Sequence, residues 1–266
     1  MRAGDELLGI GLLAGAANVV MQLARPPVGY GVVESTVESG QLFRHPLKRA
    51  RTTFTYLAVA LAGTDAERLA YRRAVNAAHT AVRSTAASPV AYNAFDPDLQ
   101  LWVAGCLYRG VVDVRAAFLG PDDPATADHV YASSAALGTT LQVPPERWPA
   151  DRHAFDRWWE CEVESVSMDD TVRAYLTDLV LLRFLPRPLA ILFGPAHRFV
   201  TAGFLPPRFR AELHLDWDDR RQRRFDRAVA IARAVVRRLP EPVRAFPFPL
   251  LLWDLRRRIR TGRPLV

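Results

Sequence analysis

Apolar residues recur at helical spacing along most of the chain, and the breaks fall at proline and glycine. Runs with strict alternation, the mark of half-buried strands, are scarce. Leu7 to Leu23, LLGIGLLAGAANVVMQL, is an uncharged run that reads as a helix, ending before Arg25-Pro26-Pro27 because the residue before proline avoids helical geometry. A short second helix is expected over 29–39. Pro46 sits where a helix can start, and that helix runs to Ala62 and stops at Gly63. Thr64 with Glu67 three residues on is a capping-box pattern, opening a helix expected to reach Ser84. SPVAYN is an extended loop. Asp96-Pro97 opens a helix to Phe118, and Asp123-Pro124 opens one ending near Gly138. Further helices are expected over 151–165 and 169–183, with Pro186 and Pro188 as stops and short helices flanking Pro206-Pro207. Asp216 is placed to cap a basic helix over 217–239, and FPFPL leads into a last helix over 250–260. The pattern predicts an all-α fold, one multi-helix domain spanning 1–266 with roughly ten helices and no internal repeat.

One helix is at odds with its own periodicity. Residues 49–57 read RARTTFTYL, and Arg49, Thr52, Thr53 and Tyr56 stand at i, i+3, i+4 and i+7, on one face. The same helix then becomes apolar nearly all round through Leu57, Val59 and Leu61, as buried helices do. A buried arginine needs a partner, because an unpaired buried charge is very costly.

The chain has 266 residues, half of them hydrophobic, enough to bury a sizeable core. Net charge is +7, almost all from arginine, with Lys48 the sole lysine. The arginines gather late, as RRQRR at 220–224 and RRRIR at 256–260. No nucleic-acid-binding motif accompanies them, so no nucleic acid is expected as a partner. The segment PLLLWDLRRR has the apolar-then-basic layout of an interfacial helix, with Phe246, Phe248 and Trp253 as headgroup-level residues, and peripheral membrane contact is the expectation it raises against a solvated helix face. Leu7–Leu23 is slightly short for a membrane span and lacks the basic start of a secretory signal; a buried core helix is the first reading and a membrane-associated segment the second. Cys106 and Cys161 form no CxxC or zinc spacing, which implies no disulfide framework and fits a reducing cytoplasm.

HExxH, P-loop, GxSxG and GxGxxG patterns are all absent, which removes the zincin, nucleotide and hydrolase readings those motifs carry. Of six histidines, His79 stands out. It shares a helical face with Val75, Ala78 and Val82, so it points inward, and the tight Gly63 connection makes its helix a neighbour of the Arg49 stripe. A single histidine facing hydrogen-bond donors across an apolar space is a haem pattern. The alternative is structural: a core histidine, an ordinary carboxylate for Arg49, and threonines bonding back to helix carbonyls.

An ordered set of stretches adds to this: VVMQLARPPVGYGVVE (19–34), HPLKRARTTFTYLAVALAG (45–63), RRAVNAAHTAVRS (72–84), YNAFDPDLQLWVAGCL (92–107), FVTAGFLPPRFR (199–210) and FPFPLLLWDLRRRIR (246–260). Together they resemble the oxygenase superfamily that contains the latex-clearing rubber oxygenases and the MpaB-type oxygenase of mycophenolic acid biosynthesis. The resemblance implies a globin-like helical core around haem b, with His79 as the proximal iron ligand, Arg49 and Thr53 on the distal side, and Thr52 beside them as a cofactor-binding residue. It implies dioxygen and a hydrophobic, isoprenoid- or lipid-like substrate, and as an alternative a non-catalytic haem- or lipid-binding protein. Against the family pattern, Thr52 stands where the latex-clearing enzymes have a lysine, and Arg25 and Ala104 stand where many small relatives have histidines. Glu34 and Glu38 are the candidates for the distal glutamate of the rubber-cleaving members.

Overall fold

A computed structural model describes residues 7–37 and 41–266, and Glu38 lies outside them. The described residues are built from helices, with one isolated β-bridge between Arg83 and Asn93. A 3-10 turn, Gly9–Ala14, leads into α1 (Gly15–Leu23), followed by α2 (Pro26–Val33), α3 (Pro46–Ala62), α4 (Asp65–His79), α5 (Pro97–Phe118), α6 (Pro124–Ser134) and α7 (Ala136–Thr139). The second half holds α8 (Arg152–Glu164), α9 (Asp170–Val180), α10 (Arg187–Phe204), α11 (Pro207–Glu212), α12 (Asp219–Val236), α13 (Glu241–Ala245) and α14 (Phe248–Arg260).

Side-chain caps head six of the fourteen α-helices among the described residues. The side chains of Thr64, Asp96, Asp123, Asp151, Asp169 and Asp218 each accept a backbone N–H at the head of a helix. At Thr64 the capping box is complete, with Glu67 returning a bond to the Thr64 amide at 2.8 Å.

The core is one buried cluster reaching from Leu7 to Leu255. α1 lies against α2, α5, α9 and α10, while α3 packs on α4, α7 and α14. Beside α1, the rings of Trp102 and Trp159 stack at 5.2 Å, and Tyr108 meets Phe155 edge-on at 4.7 Å. The α1 part of the apolar run packs into the core, with Val20, Met21 and Leu23 buried while Leu13 ahead of it is exposed, and no helix among the described residues is long and apolar enough to cross a membrane.

Several expected boundaries move. The helix expected to reach Ser84 ends at His79, because the chain turns there and trades helix bonds for a bridge: Ser84 donates to the Tyr92 carbonyl at 2.8 Å and Ala94 to that of Val82 at 3.0 Å. The second helix starts at Pro26 rather than 29, both prolines fitting its first turn, where no N–H is needed. The helix expected over 169–183 ends at Val180, ahead of the two prolines, and Pro186 and Pro188 also head α10 as its N-cap and a first-turn residue. The helix expected to end near Gly138 breaks at Ala135 into α6 and α7, and the basic helix is capped by Asp218, not Asp216.

A candidate cofactor cavity

A cavity of 460 Å³ lies between α1, α3, the end of α4 and α5, within the size range of small-molecule sites. Its wall is drawn from residues as early as Leu7 and as late as Phe248. Most of that wall is aliphatic or aromatic. Among the described residues Arg49 is the one formally charged side chain on it, and none of them contributes a carboxylate.

Arg49 sits in the first turn of α3, a turn with no acidic residue. Protein atoms enclose its guanidinium, which still reaches the cavity space. Burial lowers its pKa, offset in part by Tyr175 and Tyr71, so the site strains against holding the charge. Among the described residues no acceptor bonds to it and no carboxylate pairs with it. Thr53, one turn further along α3, and Tyr56 after it line the same wall. The Tyr56 hydroxyl donates to the Leu137 carbonyl, which fixes the ring.

Thr52 departs from the stripe. Its hydroxyl donates back to the Lys48 carbonyl at 2.9 Å, its own carbonyl accepts from the Tyr71 hydroxyl at 2.6 Å, and it is not among the lining residues.

His79 lies on the wall at the last residue of α4. Burial, assisted by the nearby positive charge of Arg49, lowers its pKa to about 4, so the ring is neutral at pH 7 and a nitrogen lone pair is available. Its Nδ1 is buried and has no hydrogen-bond partner, and Phe95 stands edge-on to the ring at 6.3 Å. The structure therefore brings Arg49, Thr53 and His79 to one cavity, as their sequence pattern suggests.

Other lining residues escaped the sequence reading. His197 of α10 is one. Its Nδ1 lies 2.7 Å from the Val180 carbonyl oxygen, which can only accept, so Nδ1 bears a proton and donates it there. Tyr175 of α9 is another, and nothing in its local sequence marks it. Asn18 and Gln100 did carry a signal, as polar residues inside apolar helices. Asn18 donates to the Cys106 carbonyl at 2.6 Å and Gln100 to the Ala94 carbonyl at 2.6 Å, so both serve the backbone of the wall.

The glutamate candidate Glu34 accepts from Ser88 at 2.6 Å and Tyr92 at 2.7 Å, and lies off the wall. Arg25 also lies off it: the guanidinium bonds to Glu162 at 2.5 Å and sits 5.9 Å from the Trp102 ring centroid. Ala104 is buried, and its methyl packs near Gly138.

The residues present fit a haem group. One neutral histidine, an unpaired guanidinium and an apolar enclosure match an iron ligand, an anion partner and a dry pocket. The orphaned Nδ1 of His79 and the unpaired Arg49 each cost free energy that a bound group could offset. Among the described residues no cluster of three His, Cys, Asp or Glu side chains gathers to hold a bare metal ion.

Residues 4–234 match the family described as ER-bound oxygenase mpaB/B'/rubber oxygenase, catalytic domain. The chain is 52% identical over 255 residues to the uncharacterised protein Rv2237 of Mycobacterium tuberculosis, and equally to Mb2261 of Mycobacterium bovis, covering 96% of this chain and all of each relative. No solved structure matches it.

Proposed function

The chain belongs to the mpaB/rubber oxygenase catalytic-domain family, and on that premise we propose that it is a haem-b-dependent oxygenase acting on a hydrophobic, isoprenoid- or lipid-like small molecule. The observation that carries the reading is the cavity: apolar, with the neutral ring of His79 on its wall and the guanidinium of Arg49, which has no partner among the described residues. Haem iron, when bound, supplies the activation of dioxygen for attack on the substrate. His79 would hold the iron. Arg49 and Thr53 would present fixed hydrogen-bond donors to an oxygen atom or a propionate, and fixed donors in a dry site cost no reorganisation. The aliphatic wall excludes water and accepts an alkyl chain. Among the described residues, Tyr56, Tyr175, His79 and His197 are groups on that wall able to handle a proton.

The experiment is an absorption spectrum of protein from haem-supplemented cells, taken oxidised, reduced and with carbon monoxide. A Soret band at near-stoichiometric haem is expected. His79→Ala should lose it, while His197→Ala should keep it; the reverse pattern would move the iron to His197, whose pinned Nδ1–H is the arrangement common behind ligating histidines. A folded, helical wild-type sample that takes up no haem sinks the oxygenase reading. A stable haem complex that never turns over apolar alkenes or lipids would instead favour a non-catalytic haem- or lipid-binding protein.

A further inference from the structure

The first half of α10 is apolar on nearly every side and yet stands in solvent. Leu189 is 42% exposed, Ile191 67%, Leu192 67% and Phe193 51%. A helix apolar all round is ordinarily buried. Gly194 marks where this helix presses into the body, since a Cβ there would lie 2.7 Å from the Leu181 carbonyl oxygen. Leu13, Val243 and Phe246 are exposed too, and they belong to, or adjoin, elements in contact around the 3-10 turn that α10 also touches.

The exposed half-helix is joined directly to the cavity. Leu182 and Phe184, in the link just before it, line the cavity, as does His197 further along it. Arginine frames the same end: Arg183 pairs with Asp178, while Arg187 has no ion pair among the described residues, and both are exposed. From Arg183 to Arg260 the chain carries 18 arginines against 7 carboxylates, so this stretch of sequence is strongly cationic.

We propose that the first half of α10 is a docking surface for an anionic lipid bilayer. Leu189, Ile191, Leu192 and Phe193 enter the acyl region, and Arg183 and Arg187 meet the lipid phosphates. Such a helix lies in the interface, where apolar burial and attraction to anionic headgroups add. A second copy of the chain is the poorer occupant, because a two-fold contact sets this cationic patch against itself. Docked this way, the Leu182–Phe184 side of the cavity is held near the membrane, so that the apolar ligand comes from the bilayer. That last step rests on the hydrophobic-substrate reading; the docking does not.

The test is co-sedimentation of the full chain with vesicles of phosphatidylcholine alone or with phosphatidylglycerol, with haem content read on the same samples. Binding should be at least about tenfold stronger with the anionic lipid and should weaken as salt rises. Ile191→Glu with Leu192→Glu should cut it by about tenfold or more, and Arg187→Glu by about fivefold, with the helical spectrum unchanged. These positions are exposed, so folding is spared, and Arg223→Glu on α12 serves as a charge control. The proposal is overturned if the wild type ignores anionic vesicles or if the α10 variants bind as it does. It is equally overturned if the chain proves to be a dimer that the Ile191/Leu192 variant splits and that does not bind vesicles. A Soret band without vesicle binding removes the docking alone; vesicle binding without a Soret band leaves the docking and removes the oxygenase.

Discussion

Arg49 and His79 are two basic residues of the cavity wall whose ionisation burial opposes. Replacing Arg49 with Met removes an unpaired cation from an apolar wall, so the haem-free chain should gain about 1–3 kcal/mol in urea unfolding. The same variant should hold haem more weakly in titration, and the two effects of opposite sign separate a binding role from a structural one. His79 sets a pH dependence. Its folded pKa of about 4 lies below the ordinary 6.5, so between those values the unfolded chain binds the extra proton. The stability it contributes is present above pH 6.5 and is lost as pH falls towards 4. In haem-free protein, the wild type should lose about 2–3 kcal/mol more than His79→Phe between pH 7.5 and pH 4.5. Equal losses would show that the ring is not held neutral. Much of this wall was legible in the sequence, because Arg49, Thr53 and Tyr56 obey helical spacing. Thr52 did not follow because, at i+3, its hydroxyl found the Lys48 carbonyl first. Tyr175 and His197 were illegible, since they reach the cavity from elements more than a hundred residues away.

At the scale of elements, α4 is the part with the most dependent on it, because it carries His79 at one end and its cap at the other. Thr64→Ala removes one side of the capping box and should cost about 1 kcal/mol. Glu67→Ala should cost more, because that carboxylate also accepts from Arg256 at 2.7 Å and so ties α14 to α4. Arg256 holds the Glu67 carboxyl below its usual pKa. Thermal unfolding of the two variants checks the order. Helix starts were readable wherever Asp or Thr precedes an apolar period, since the cap is local chemistry. Ends and proline-led starts were not. The bridge beyond His79 depends on residues 92–94 returning to the same place, and the prolines at 186 and 188 stop or start a helix according to which side of them is packed. α10 was lost for that reason, and with it the exposed apolar half-helix.

For the molecule as a whole, the cavity is a site of stored instability that an occupant relieves. An occupant that binds the folded chain alone stabilises it by about 2.7 kcal/mol at a hundred times its dissociation constant. Haem should therefore raise the melting temperature in step with its concentration, and Arg49→Met should blunt that rise. The all-α class was legible because the apolar period is helical almost throughout. The enclosure was not, because no local pattern says that Leu7 and Phe248 will share a wall. That shared wall also has a consequence for how the protein is made. Synthesis delivers the chain from its N-terminus, and Arg49, Thr53 and His79 leave the ribosome long before Phe248 does. Until then the pocket has an open side, and a ligand that enters can leave. On the proposed haem reading, stable loading thus waits for α14 to be made, and the ligand is needed once that last wall is in place.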